Sequence, residues 1–145
     1  MNKVTKTLIV MSVIAVVLFS INFFINKKDK KNYENENYIT IKGENIPSIY
    51  SVIGEKKVIG IKDGTDKTGH YIELVYDSAL KLTEVSEYLA YLGKQNYALI
   101  SATENDCVVA IESKDIGKIL TVIVKYADEK TIIKYSKGSG TITRS

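Results

Sequence analysis

The chain has few of the side chains that carry metal or nucleophilic chemistry. Its 145 residues include one cysteine, one histidine and no tryptophan. A lone cysteine, Cys107, cannot form an internal disulfide, and with one histidine it supplies too few ligands for a zinc site, which needs three or four. A Ser-His-Asp or Cys-His arrangement would have to use His70. We therefore predict no catalytic, cofactor-binding or metal-binding residues.

The positive charge of the chain is confined to one end. The formal net charge is +3, but residues 1–31 hold six lysines and one aspartate, which is +5. Residues 32–145 hold 14 basic and 16 acidic side chains, which is −2. The longer segment thus has no basic face of the kind that nucleic acid requires. The lysines of residues 27–31 are expected at lipid headgroups, each adding about 1 kcal/mol of attraction to anionic lipid. Keeping the helix from sliding in the bilayer is the favoured role for them over recognition of a specific lipid.

Residues 8–25 (LIVMSVIAVVLFSINFFI) form an apolar run without a charged residue. As a helix this run spans roughly 27 Å, close to the ~30 Å hydrocarbon core of a bilayer. A surface helix of a soluble domain would show a polar face, and this run has none. The sequence therefore predicts a single-pass transmembrane helix in contact with membrane lipid.

Two properties of this helix stay open. A cleavable signal peptide has a short apolar core and a small-residue cleavage site. Here the run is long and the bulky Leu18 precedes Ser20, so an uncleaved signal anchor is favoured over a cleaved signal. The flanking lysines favour a cytoplasmic domain, whereas a short tail before an apolar run is typical of an exported signal anchor. We predict a cell-membrane protein whose domain is extracytoplasmic.

The remaining chain is long enough for one domain with a core and too short for two. The predicted organisation is an N-terminal tail at 1–7, the anchor at 8–25, a basic and polar linker at 26–37, and one soluble domain at 38–145. Cys107 lies in the apolar run CVVAI, which predicts a small buried thiol.

Hydrophobic periodicity predicts an α+β fold for this domain. Short polar gaps between the last four strands indicate an antiparallel meander. A short helix is predicted around Pro47, which suits a first helical turn, with Gly54 at its end. The main helix is predicted at 83–95, packed on one face of the sheet, and the element order is β-α-β-β-α-β-β-β-β. The predicted strands are residues 38–42, 57–62, 70–76, 97–102, 107–112, 118–126 and 130–135.

The main helix carries the most specific local pattern. Thr83 is the predicted N-cap. Asn96 can adopt the left-handed conformation that ends a helix, and Tyr97 can then fold back on Leu92 as in a Schellman motif. One face of the helix is apolar at the spacing i, i+3, i+4 and i+7. Its residues are Val85, Tyr88, Leu89 and Leu92.

Three features resemble functional sites without matching one. The acids Asp63, Asp66 and Glu73 lie near a predicted hairpin loop at 63–69, but their spacing departs from a calcium-binding EF-hand loop. The sequence KGSG at 137–140 lacks the lysine and hydroxyl that complete a phosphate-binding loop, which favours a frayed tail. Tyr91 lies off the apolar face of the main helix and is the predicted exposed aromatic on a contact surface.

Two stretches, IPSIYSVIGEKKVIGI at 46–61 and EYLAYLGKQNYALI at 87–100, precede the predicted strand meander. In this layout the chain resembles uncharacterised membrane-anchored or lipid-linked proteins of low-GC Gram-positive bacteria. The resemblance spans most of residues 46–140. It implies a fold and a location and no activity.

We expect a non-enzymatic, membrane-tethered extracytoplasmic domain that binds a protein or a cell-envelope partner, since a sheet offers edges to a partner. We expect no cofactor and no nucleic acid. Two alternatives stay open. One is a carboxylate-dependent enzyme that uses Asp63, Asp66 and Glu73, and the other is a subunit of a membrane complex that assembles through residues 8–25.

Overall fold

The computed structural model describes residues 33–67, 69–77, 82–127 and 130–143. The predicted anchor at 8–25, the tail before it and the first part of the predicted linker lie outside these residues. None of the helices in the described part of the chain has the length and apolar character needed to span a bilayer. The elements are β1 (Tyr38–Ile41), β2 (Glu44–Pro47), α1 (Tyr50–Ile53), β3 (Val58–Asp66), β4 (Gly69–Tyr76), α2 (Leu82–Lys94), β5 (Ala98–Ala102), β6 (Asp106–Glu112), β7 (Lys118–Ala127) and β8 (Lys130–Ser139).

Six of these strands form one antiparallel sheet in the order β3-β4-β8-β7-β6-β5. The strand β5 follows β4 along the chain, but it lies at the opposite edge of the sheet from the β3–β4 pair. The chain crosses from one to the other through α2, and the meander β5-β6-β7-β8 then returns until β8 pairs with β4. The predicted α+β class and the antiparallel meander are confirmed.

The core lies on one face of this sheet. Along β4 the buried side chains are Ile72, Leu74 and Tyr76, which alternate with half-buried ones as a one-sided sheet requires. The central strand β7 continues the pattern with Leu120, Val122 and Val124. The face is covered by α2, by the β1–β2 hairpin and by Ile49 beside α1.

The helix α2 buries the predicted apolar face. Val85, Tyr88 and Leu92 are each no more than 1% exposed, and Leu89 packs partly against the core. The Schellman cap is also confirmed, because Asn96 has a φ of 73° and the Tyr97 N–H donates to the Leu92 carbonyl at 3.0 Å. The helix begins at Leu82, so Thr83 lies inside it rather than at the predicted cap position.

The first helix differs from its prediction. Residues 44–47 form β2 of a hairpin, and the helix α1 begins only at Tyr50 and ends at Gly54 as expected. Pro47 thus ends a strand instead of opening a helix, which a proline tolerates because the two-stranded sheet leaves its nitrogen outside the ladder. The hairpin turn is Lys42-Gly43, and both residues have positive φ, 49° and 79°.

The hairpin is fixed to the rest of the domain by hydrogen bonds. The Tyr88 hydroxyl donates to the Pro47 carbonyl at 2.6 Å in the buried core. Preceding β1, residues 33–35 are helical, and Tyr33 packs against the core. The carboxylate of Glu34 accepts the Val58 N–H at 2.7 Å. The described part of the predicted linker therefore makes contacts with the domain that follows it.

Two predicted irregular segments are strand. The predicted loop at 63–69 is wrong, because β3 and β4 pair as far as Asp66 and Gly69. The predicted frayed tail is also wrong at its start, since β8 continues to Ser139 and pairs with Lys118 at the beginning of β7. Both extensions reach the same end of the sheet, where they form the walls of a cleft.

Candidate functional site

The cleft at this end of the sheet is bounded by four chain segments and has a volume of about 510 Å³. The segments are the β1–β2 turn, the β3–β4 turn, the β6–β7 connection and the end of β8. We call it the basic cleft. Its charged lining residues are Lys42, Asp66, Lys67, Asp115, Lys118 and Lys137.

One wall of the basic cleft depends on a glycine. Gly69 has a φ of 104°, and a Cβ at this position would lie 2.0 Å from the Lys137 carbonyl oxygen. No side chain fits there, because the backbones of β4 and β8 approach one another too closely. The sequence therefore brings the β3–β4 turn against the end of β8, with His70 at the lining between them.

A buried ion pair lies beneath the basic cleft. The Lys137 Nζ is 2.6 Å from Glu44 Oε2 and 2.6 Å from Asp115 Oδ2, and its side chain is only 5% exposed. Glu44 also accepts hydrogen bonds from the Ser113 hydroxyl at 2.5 Å and from the Lys114 N–H at 2.7 Å. The pair thus ties the β1–β2 hairpin to β8 and to the β6–β7 connection.

The protonation of these groups follows from their contacts. Burial raises the pKa of Glu44, but the hydrogen bonds from Lys114, Lys137 and Ser113 outweigh it and lower the pKa from 4.5 to about 2. The hydrogen bonds that Lys137 donates to Asp115 and Glu44 raise the pKa of its ammonium group above the usual 10.5. Both groups are therefore charged at neutral pH.

The carboxylates singled out in the sequence do not converge. Asp63 lies 3.2 Å from His70, and Asp66 forms an ion pair with Lys134 at 2.6 Å. Glu73 adjoins Ile72, which points into the core, so its side chain leaves the opposite face of the sheet. Within the described ranges, no three His, Cys, Asp or Glu side chains are grouped so that they could hold a metal ion.

A second surface lies at the β5 edge of the sheet. The strand β5 (ALISA) has no charged residue, and no described strand pairs with its outer side. Its register with β6 shifts between Leu99 and Ser101, so that Ile100 is an extra residue in a β-bulge. Leu99 is 65% exposed and Ile100 is 53% exposed. These two side chains form an apolar pair on an open strand edge.

The opposite edge, β3, is protected. It contains Lys62, Asp63 and Asp66 among its exposed residues, and it has an irregularity between Val58 and Gly60. The carboxylate of Glu34 accepts the Val58 N–H at its start. Charges, bulges and covering groups are the usual means by which proteins keep sheet edges from pairing. The β5 edge has the bulge but lacks the charges.

The remaining residues singled out in the sequence, Cys107 and Tyr91, are buried or half-buried. Cys107 is buried, and burial together with nearby Asp106 raises the pKa of its thiol, which makes the thiol less reactive. Tyr91 is half-buried, so the prediction of an exposed aromatic there is wrong. Tyr38 is exposed instead, at 49%, and lies at the start of the two-stranded hairpin.

Sequence reasoning missed both surfaces. Lys137 could have been found by extending the alternation of Ile133 and Tyr135, which places it on the inner face. No local sequence pattern predicts that β5 lies at an edge, because its position in the sheet depends on where α2 ends relative to the other strands. Comparison of the chain with protein-family models, with curated proteins and with solved structures finds no match.

Proposed function

We propose that the protein is a non-enzymatic, membrane-tethered domain that binds a partner protein through the β5 edge. In this proposal residues 8–25 anchor the chain in the cell membrane, and the domain is extracytoplasmic. The observation that carries the proposal is the exposed pair Leu99 and Ile100 on a strand edge without charge.

The chemistry of the edge favours an extended segment as the occupant. An open strand presents unpaired N–H and C=O groups along its outer side, and another strand satisfies them directly. Side chains of the added strand can then contact Leu99 and Ile100. Each apolar side chain withdrawn from water stabilises the complex by roughly 25 cal/mol per Å² buried.

The contrast with β3 supports the choice of edge. A strand added to β3 would meet the charged side chains of Lys62 and Asp63 and the group that already occupies the Val58 N–H. Desolvating these charges without partners would oppose binding. A partner strand therefore prefers β5, even though both edges belong to the same sheet.

The test is site-specific photo-crosslinking of the full chain in membranes. A photoreactive residue at position 100 is compared with one at position 116, because Ile116 is fully exposed and apolar but lies outside the strands. We expect a discrete crosslinked product from position 100 alone. The product should be lost when Leu99→Lys is added to the same chain, since a buried lysine would oppose docking.

The mass of the product identifies the occupant. A product of twice the chain mass would mean that a second copy of the chain docks at β5. The proposal of a different partner protein would then be wrong, and the β5 edge would be a self-association surface. Equal crosslinking from positions 100 and 116, or a product that survives Leu99→Lys, would contradict the proposal.

The location is tested separately with a reporter fused after Ser145. Activity of a periplasm- or surface-active reporter supports an extracytoplasmic domain. Activity only of a cytoplasm-active reporter would contradict it and would agree with the count of flanking lysines.

The alternatives make different demands. A carboxylate-dependent enzyme would need converging acids. Here Asp63 lies beside His70, Asp66 pairs with Lys134, and Glu73 lies opposite Lys62 on one neighbouring strand and Lys134 on the other. A membrane-complex subunit that assembles through residues 8–25 would still crosslink through this run after the domain is deleted. Loss of all crosslinks on that deletion favours the β5 edge.

A further inference from the structure

The basic cleft differs in charge from the domain around it. Its charged lining consists of four lysines and two aspartates, which is +2, whereas residues 32–145 carry −2 in total. The two aspartates are engaged, because Asp115 pairs with Lys137 and Asp66 pairs with Lys134. The cleft therefore concentrates positive charge at one end of an acidic domain.

Three of these lysines have no acidic partner among the residues that the structure describes. Lys42, Lys67 and Lys118 are exposed and form no ion pair with any residue that the structure describes. They come from three different connections, namely the β1–β2 turn, the β3–β4 turn and the start of β7. The three lysines thus line one cleft from separate parts of the chain.

The position of Lys42 has a conformational cost. Its φ of 49° is in the left-handed region, where a residue with a Cβ is less stable by roughly 1–2 kcal/mol. Asparagine and glycine are the residues that suit this turn position. A lysine held in an unfavourable backbone conformation beside a cleft indicates that its charge has a use there.

The floor of the cleft is held in place independently of any ligand. Lys137 is fixed by Glu44 and Asp115, whose two negative charges more than balance its single positive charge, so it is not counted among the groups available to a ligand. Thr65 and Ser139 add hydroxyl groups to the lining. The cleft thus offers free ammonium groups and neutral donors around a volume of about 510 Å³.

We propose that the basic cleft binds a phosphate group, carried either by a soluble molecule or by a lipid headgroup. A tetrahedral phosphate presents oxygens in several directions and can accept from ammonium groups that come from three sides. A planar carboxylate has two oxygens in one plane and matches this arrangement less well. The site is separate from the β5 edge, so it does not depend on the function proposed above.

The test uses the full chain purified in a phosphate-free non-ionic detergent. Binding is measured by titration calorimetry at low salt with inorganic phosphate. The cleft variant combines Lys42→Asn, Lys67→Gln and Lys118→Gln. The charge-matched control combines Lys94→Gln, Lys125→Gln and Lys130→Gln, which are exposed lysines outside the lining.

We expect the cleft variant to bind phosphate at least about tenfold more weakly and the control to remain within about twofold, because a charge acts mainly within a Debye length. Thermal unfolding without ligand reports whether each variant is folded. Phosphate should raise the unfolding temperature of the wild type and the control only. Equal binding by the cleft variant and the control would overturn the proposal, as would absence of binding to the wild type.

The source of the phosphate is distinguished by a second titrant, glycerophosphoglycerol, which is the deacylated headgroup of an anionic phospholipid. Tighter binding of this diester that is lost in the cleft variant assigns the site to a lipid headgroup. Tighter binding of inorganic phosphate with the same loss assigns it to a soluble phosphate. A preference for acetate over both would contradict the proposal, since it would show recognition of a carboxylate.

Discussion

The basic cleft and the β5 edge are built in opposite ways on one sheet. The cleft is assembled from four distant segments, and its floor is a buried ion pair between Glu44 and Lys137. The edge is a five-residue strand whose apolar side chains, Leu99 and Ile100, are mostly exposed to solvent. Substitutions in the cleft floor should therefore change stability, whereas substitutions at the edge should change association only.

The largest expected difference is between Glu44→Ala and Leu99→Ser. Removing the Glu44 carboxylate leaves Lys137 with one acidic partner and leaves the Ser113 and Lys114 donors without their acceptor. We expect a loss of about 2–3 kcal/mol in the free energy of unfolding, the size typical of hydrogen bonds to charged groups. Leu99→Ser should cost less than about 0.5 kcal/mol because the side chain is already exposed.

Chemical unfolding of the full chain in non-ionic detergent, followed by circular dichroism, measures both values. Leu99→Met is the control for the edge, since it keeps an apolar side chain there. Equal losses for Glu44→Ala and Leu99→Ser would mean that the edge is buried in the folded protein and that the contrast between the two regions is wrong.

The same ion pair gives the cleft floor a pH dependence that the edge lacks. The pKa of Glu44 is lowered from 4.5 to about 2, so its stabilising effect is complete above pH 4.5 and is lost as the pH falls through about 2. We expect the free energy of unfolding to fall more steeply across this window in the wild type than in Glu44→Gln.

Unfolding measured at several pH values between neutrality and pH 2 tests this expectation. Leu99→Ser serves as the control, because this substitution changes no titrating group and its acid profile should follow that of the wild type. Identical acid profiles for the wild type and Glu44→Gln would show that Glu44 does not gain from its contacts in the folded state.

A smaller effect is expected from the tyrosines that hold the hairpin above the core. The Tyr88 hydroxyl has a single hydrogen, which it donates to the Pro47 carbonyl. In the 3.2 Å contact between the Tyr88 and Tyr135 hydroxyls, Tyr135 is therefore the donor. The buried Tyr76 hydroxyl forms no hydrogen bond of standard geometry among the described residues, although it interacts with the neighbouring Tyr135 hydroxyl. Burial raises the pKa of all three, so all are neutral in the folded protein.

We expect Tyr88→Phe to lower the free energy of unfolding by about 1–2 kcal/mol, because the Pro47 carbonyl is left unsatisfied in the core. Tyr76→Phe is the matched variant and should cost less than Tyr88→Phe, since it removes a buried hydroxyl that forms no hydrogen bond of standard geometry. Thermal unfolding of the two variants side by side measures the difference. A larger loss for Tyr76→Phe would contradict this expectation.

The sequence predicted the elements whose signals are local. The alternation of Ile72, Leu74 and Tyr76 and the left-handed Asn96 after α2 were both correct, because each depends on neighbouring residues alone. The helix around Pro47 was wrong, since a proline also fits the end of an edge strand. Pro47 belongs to a strand because it pairs with Tyr38, and no local sequence pattern predicts this pairing.

Neither candidate surface could be predicted from local pattern. Gly138 and Ser139 suggested a frayed tail, yet they complete β8 because Lys118 and Ile119 of β7 lie beside them. Lys137 is buried because Glu44, far earlier in the chain, supplies the opposite charge. The exposure of Leu99 likewise follows from the strand order of the whole sheet and not from the composition of β5.

The smallest expected effect on stability is a gain at the cleft. Lys42→Asn keeps the two-residue turn but relieves the left-handed conformation of the lysine, and asparagine is one of the residues that such turns favour. We expect it to raise the free energy of unfolding by about 0.5–1 kcal/mol while it weakens phosphate binding. Opposite signs for stability and binding are the result expected when strain is retained for function.

Ile100→Thr gives the comparison at the edge, because it replaces an exposed apolar residue by a smaller polar one that is also β-branched and suits a strand. Its stability should stay within about 0.5 kcal/mol of the wild type, and phosphate binding should not change. If Lys42→Asn destabilises the domain, the turn lysine contributes a contact in the folded state that outweighs its backbone cost. Lys42 would then stabilise the folded domain, and the contrast between a strained cleft and an unstrained edge would be wrong.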